Sequence, residues 1–143
     1  MTDTALAPIP VEQILLPADL DGSQGRNRAV GRVAQIAATN DLQAIDAWLA
    51  RFIETKTTFD NYRKEAERLL LWSTLQLGKP LSSLTHEDFL VYQQFLLDPQ
   101  PREKWVAGGG RKHPRDDSRW RPFYGPLSTT SQRQAMIILN VMF

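Results

Sequence analysis

An all-α fold of four helices is what this sequence predicts, and three observations carry it. Apolar residues recur at helical spacing in four separate stretches. Capping residues or Gly and Pro stops bracket those stretches, and no run alternates with the two-residue period of a strand. No internal repeat is present. A length of 143 residues with 42% hydrophobic content and four tryptophans supports one core with an appended arm. The expected division is an extended N-terminal arm or linker over residues 1–38 and one helical domain over 39–143.

The arm is read from its breakers. Pro8, Pro10 and Pro17 interrupt any helix, and Asp21–Ala29 is turn and linker chemistry. Val11, Ile14, Leu15 and Leu16 make a small apolar patch, which in such a position is expected to be a loosely held tail. The first helix should run from about Asp41 to Glu54. Asn40 with Gln43 three residues on has capping-box spacing, and Leu42, Ile45, Leu49, Phe52 and Ile53 line one face beside Trp48.

The second helix organises the rest. Thr58 is its expected N-cap, and Asp60 follows where a negative charge suits the positive end of the helix dipole. Tyr62, Ala66, Leu69, Leu70 and Ser73 form a buried stripe that Leu71, Trp72, Leu75 and Leu77 widen. Gly78 supplies the stop, with Pro80 just beyond. The helix is thus polar at its beginning, where Thr58, Asp60, Asn61, Arg63 and Lys64 are left for other contacts, and apolar at its end.

A third helix should begin at Thr85. Leu84 and Phe89 stand as a hydrophobic staple, Phe89, Tyr92, Phe95 and Leu96 form the stripe, and Asp98-Pro99 ends it. Residues 99–126 show no sustained period. A loop of that length in a compact domain is usually functional or disordered. Trp105 and the run Trp120–Phe123 are expected to tie down its ends, leaving the Gly108–Gly110 tip to move. The last helix should start near Ser128 or Thr130, with Ala135, Ile138, Leu139 and Met142 facing inward. It stops at Phe143 in the middle of its stripe, as a piece of a longer chain would.

Little in the sequence supports catalysis. The absence of cysteine rules out thiolate metal sites and fits a reducing compartment. No apolar run approaches a membrane span and no signal pattern opens the chain, so a soluble, cytoplasmic protein is expected. His86 and His113 lack metal-ligand spacing, the glycine tip is not followed by Lys-Ser/Thr, and no serine lies in a nucleophile elbow. Tyr62 and Tyr92 fall on core stripes. No catalytic residue, metal, cofactor or small-molecule substrate is expected.

The positive signal concerns binding. Residues 99–143 hold eight Lys/Arg against three acids, a local charge of +5 in a chain whose net charge is +1. Arg111, Lys112 and Arg115 interleave there with Trp105, His113, Trp120, Phe123 and Tyr124. Such a stretch suits an anionic partner, and helix beginnings rich in Thr, Asn, Ser, Gln and Arg suit phosphates and base edges in the DNA major groove.

Four runs then carry a resemblance: Thr58–Trp72, Lys79–Pro101, Trp120–Ser128 and Ser131–Phe143. In order they give a Thr-capped helix ending in an aliphatic-Trp pair, Leu-Thr-x-x-Asp, a basic insert, and a Ser-rich cap before Ile-Leu-Asn. This order resembles the N-terminal core-binding domain of tyrosine recombinases, most nearly phage-type integrases of bacteria, over about residues 39–143. The resemblance implies a four-helix, SAM-like domain forming one half of a clamp around double-stranded DNA, alongside other recombinase protomers and without a membrane. It places Thr58, Asn61 and Lys64 of the second helix, and Ser128, Thr130, Ser131, Arg133 and Gln134 of the fourth, against the major groove. The family's Arg, Lys, His and Tyr cleavage residues have no counterpart up to Phe143, so binding without cutting is expected. The alternative is a helical protein-interaction module that kept the fold but does not bind DNA, with Ile137, Val141 and Met142 as its partner surface.

Overall fold

The computed structural model describes residues 8–13 and 40–142. They fall into two compact units, one formed by residues 40–85 and the other by residues 8–13 together with 86–141. Both are helical, as the periodicity predicts, and the described residues contain no strand, only an isolated bridge between Val106 and Phe123. The expectations for Ile14, Leu15, Leu16, Pro17 and Asp21–Ala29 lie outside the described residues.

In the first unit, helix α1 spans Asp41–Leu49 and continues as a 3₁₀ turn over Ala50–Phe52. The Asn40 side chain accepts a hydrogen bond from the Gln43 amide at 2.9 Å, so the predicted cap is formed. Asp41 is buried, and its carboxylate accepts from the Ser82 amide at 3.1 Å. That bond fastens the start of α1 to the 3₁₀ turn Leu81–Ser83.

Helix α2 spans Lys56–Leu71 and so is capped three residues before the expected Thr58. Thr55 occupies the N-cap without a side-chain hydrogen bond, and the Phe59 amide donates to its carbonyl at 2.8 Å. Lys56 pairs with Asp60 one turn on at 2.9 Å, which draws the first turn back to include it. Thr58 therefore lies inside the helix. Tyr62 stacks on Trp48 at 5.1 Å and meets Phe52 edge-on at 4.8 Å, so the tyrosine is a packing residue.

The apolar end of α2 behaves as predicted, with Ala66, Leu69, Leu70, Leu71 and Trp72 all buried. Beyond it the helix widens into a π turn over Trp72–Gln76. Ser73 and Thr74 both turn their hydroxyls back onto the Leu70 carbonyl, at 3.1 and 2.8 Å, and back-bonding of this kind competes with the regular ladder. Gly78, at φ 72°, then closes the helix, letting the Lys79 amide reach the Ser73 carbonyl at 2.8 Å.

Charge enters this core where the sequence pattern offers no sign of it. Glu65, Glu67 and Arg68 are buried beside the leucines. Glu65 meets Arg68 at 3.5 Å and Lys64 at 4.0 Å, while its Oε1 has no hydrogen-bond partner among the described residues. Burial outweighs these two cations and pushes the Glu65 carboxyl above its ordinary range.

In the second unit, α3 spans His86–Leu97 and α5 spans Thr129–Met142. Between them the expected loop contains a short helix, α4, over Arg102–Trp105. One turn is too brief to register as a period. Phe95 of α3 collects Trp105 at 5.2 Å and Phe123 at 5.7 Å, both edge-on. Around that cluster the Phe123 amide donates to the Trp105 carbonyl at 3.2 Å, and the Ala107 amide to the Phe123 carbonyl at 2.9 Å. The aromatic residues thus close the insert at its base.

Two stability measurements follow from the first unit. Trp72, 2% exposed, fills the apolar end of α2, and Trp72→Ala should cost on the order of 3–5 kcal/mol in a denaturant melt. Glu65 gives a pH signature. A carboxyl whose folded pKa is raised takes up its proton more readily in the native state, so its cost is full above that pKa and relieved as pH falls towards the ordinary carboxylate range. Glu65→Gln should therefore remove part of the decline in stability between mildly acidic and neutral pH, read from melts across that range.

Candidate nucleic-acid interface

The residues expected to meet DNA belong to three places: the beginning of α2 in the first unit, and the insert and the beginning of α5 in the second. On α2, Asn61 and Lys64 are exposed and Thr58 is half-buried. Thr58, Asn61 and Lys64 follow at intervals of three, so they share a side of the helix. Asn61 presents its amide outward. Lys64 lies 4.0 Å from the Glu65 carboxylate, which tempers its charge. Arg63 stacks over Phe59 at 5.7 Å and is held down by it.

The beginning of α5 is more open. Thr130, Ser131, Arg133 and Gln134 are all exposed, and no acid stands in the first turn. Helices α1, α3 and α4 each carry an acid there, Asp41, Glu87 with Asp88, and Glu103 respectively. An acid in that position compensates the positive end of the helix dipole, and α5, like α2, has none there. Ser128 is exposed and has a structural duty as well. Its hydroxyl accepts from the Ser131 amide at 3.1 Å, making it the cap that sets where α5 starts. Gln132 leans towards α3 and donates to the Gln93 carbonyl at 3.4 Å, while Ala135, Ile138 and Leu139 are buried. Arg133 and Gln134 are left on the solvent side.

Within the insert, the basic residues divide by partner. Arg111 and Lys112 are exposed, with no carboxylate paired to them among the described residues. Arg119 forks Asp117, at 3.1 Å from Nε and 2.8 Å from Nη2. Those hydrogen bonds, with one from the Arg119 amide, hold the Asp117 carboxyl well below the usual carboxylate range. Arg121 donates to the carbonyls of Ser118 and Trp120 at 3.3 and 2.7 Å. Arg115 is tied to Glu12, so it holds the N-terminal segment against the insert.

Grouping by space also changes the charge balance. The described residues of the second unit hold eight Lys/Arg against seven Asp/Glu, because Glu12, Glu87, Asp88 and Asp98 fold into it. The local charge of +5 belongs to a window of sequence and not to a unit of structure. Exposed cations with no carboxylate paired to them among the described residues of this unit include Arg102, Arg111, Lys112 and Arg133. The Glu12 contact was invisible in the sequence because 103 residues separate it from Arg115.

No group of metal-ligating side chains forms among the described residues; His86 is exposed on α3 and His113 is half-buried in the insert. Nor is any described helix long and apolar enough to cross a membrane.

As a cap, Ser128 should matter to stability: Ser128→Ala should cost about 1 kcal/mol in a melt. Ser128→Asp, which keeps a capping oxygen, should restore that loss while adding a negative charge at the start of α5. Comparison with protein-family models, curated proteins and solved structures finds no match to this chain.

Proposed function

We propose that this chain binds duplex DNA as the core-binding module of a site-specific tyrosine recombinase, with a SAM-like helical fold. The observation that carries the reading is the open beginning of α5, where Thr130, Ser131, Arg133 and Gln134 are exposed around a first turn without acid. Together with Arg111 and Lys112 they combine groups that grip phosphate with groups that read base edges. Asn61 and Lys64 on α2 of the first unit offer a second set of groups of the same kind. The order of motifs along the sequence supports the family. The role of the described residues is to hold DNA, and none is assigned to cleavage.

A second reading has its own observation. Ile137 is 59% exposed and Val141 55% exposed, four residues apart on α5, and such a pair suits a helical protein partner. Salt distinguishes the two. A contact with about four to six phosphates should give a slope of log K against log salt of roughly −4 to −5. A partner held by Ile137 and Val141 would show little dependence. The direct experiment is a gel shift with duplex DNA at two ionic strengths, and binding indifferent to salt would overturn the DNA reading.

Reading and holding separate on α5. Gln can pair bidentately with adenine, and a good pair discriminates by about 1–3 kcal/mol. Gln134→Ala should flatten sequence preference and leave non-specific affinity nearly intact. Arg133→Ala should weaken all sequences alike and reduce the salt slope by about one unit. Titration of both variants on a selected site and a scrambled site checks this, and the assignment is reversed if Arg133→Ala alone erases the preference.

A further inference from the structure

The segment Pro8–Gln13 is seated on the basic insert within the second unit. Pro8 and Pro10 are buried, and the Gln13 amide closes a turn onto the Pro10 carbonyl at 2.9 Å. That turn presents Glu12 to Arg115. The carboxylate forks the guanidinium, with Nε donating to Oε2 at 2.7 Å and Nη2 to Oε1 at 2.6 Å. Gln13 adds a hydrogen bond from its side-chain amide to the Arg115 carbonyl at 3.3 Å. The guanidinium itself lies 5.5 Å over the ring of Trp120, which is buried.

Two features of this contact bear on its use. Forked pairing with two parallel donors is the way arginine also takes a phosphate, so Glu12 occupies the same donors a nucleic-acid backbone would use. The pair is also solvated, with the Glu12 side chain 50% exposed and that of Arg115 29% exposed. Ion pairs in such a setting contribute little to stability and yield readily to competing anions. The stacking on Trp120 keeps the guanidinium in place when the carboxylate leaves.

We propose that Pro8–Gln13 is an autoinhibitory clasp, in which Glu12 takes the place of a DNA phosphate on Arg115 and is displaced when duplex DNA binds. This rests on the DNA reading above and adds to it a regulated contact. Strengthening the clasp lowers affinity for DNA, and releasing it exposes one more cation on the insert.

The test is a fluorescence-anisotropy titration of a labelled 20-base-pair duplex at two salt concentrations. It compares the unaltered chain with Glu12→Gln, Arg115→Gln, the double variant, and Asp116→Asn as a control for neutralising an exposed acid in the same insert. Glu12→Gln should tighten binding about three- to tenfold, more than Asp116→Asn does, and steepen the salt slope by about one unit. The gain should vanish on the Arg115→Gln background. Hydrogen exchange at the Gln13 amide should rise when duplex is added to the unaltered chain. Binding that is salt-dependent but the same for Glu12→Gln and Asp116→Asn would overturn the clasp and leave the DNA reading standing. Weaker binding by Glu12→Gln would show that the segment supports the interface instead. If no variant binds duplex at either salt, both the DNA reading and the clasp fall.

Discussion

The aromatic closure beneath the insert is the constraint on which the second unit depends. Phe95 brings Trp105 and Phe123 together, and the backbones at Trp105, Ala107 and Phe123 bond across the gap. A long connection with few apolar residues pays its ordering entropy poorly unless its ends are fixed. Here the fixed ends do more than hold the connection. They bring the chain back to α3, where the Leu127 amide donates to the Leu96 carbonyl at 2.9 Å, and the next residue, Ser128, caps α5. Where α5 begins, and so which of its side chains face solvent, follows from the packing of three rings.

The first unit is organised differently. Its apolar centre lies at the end of α2, and the same helix carries Glu65, Glu67 and Arg68 into the buried region. A buried ion pair is weak support for stability, since the desolvation of two charges offsets their attraction. The distance of 3.5 Å between Arg68 and Glu65 does not improve on that. Leucine packing, with the ring cluster of Trp48, Phe52 and Tyr62, holds this unit, and the charges are tolerated within it.

Local signals in the sequence were legible because their causes are local. The Asn40 cap, the stop at Gly78 and the inward face of α5 each depend on residues a few positions apart. The cap of α2 lies three residues before Thr58, which looks like the better cap, because the Lys56–Asp60 pair supports an earlier first turn. The π turn over Trp72–Gln76 is too short to leave a mark on periodicity. Of the candidate DNA contacts, the exposure of Asn61, Thr130, Arg133 and Gln134 follows from helical phase. The employment of Arg115 as a tether does not. Charge counted along the sequence misled for the same reason: Glu12 and the acids of α3 join the basic residues only once the chain has folded.

The three glycines at the tip of the insert are not equivalent, which has a practical side. Gly110, at φ 67°, has the Tyr124 carbonyl oxygen 3.2 Å from where a Cβ would stand, so a side chain there is both strained and crowded. Nothing lies within 4 Å of the corresponding position at Gly108. Since the closure at Trp105 and Phe123 bears on the base of the insert and not on its summit, the peptide link at Gly108 is the natural point for a spectroscopic label or a short affinity tag. A reporter carried there would ride beside Arg111 and Lys112 without disturbing the rings below.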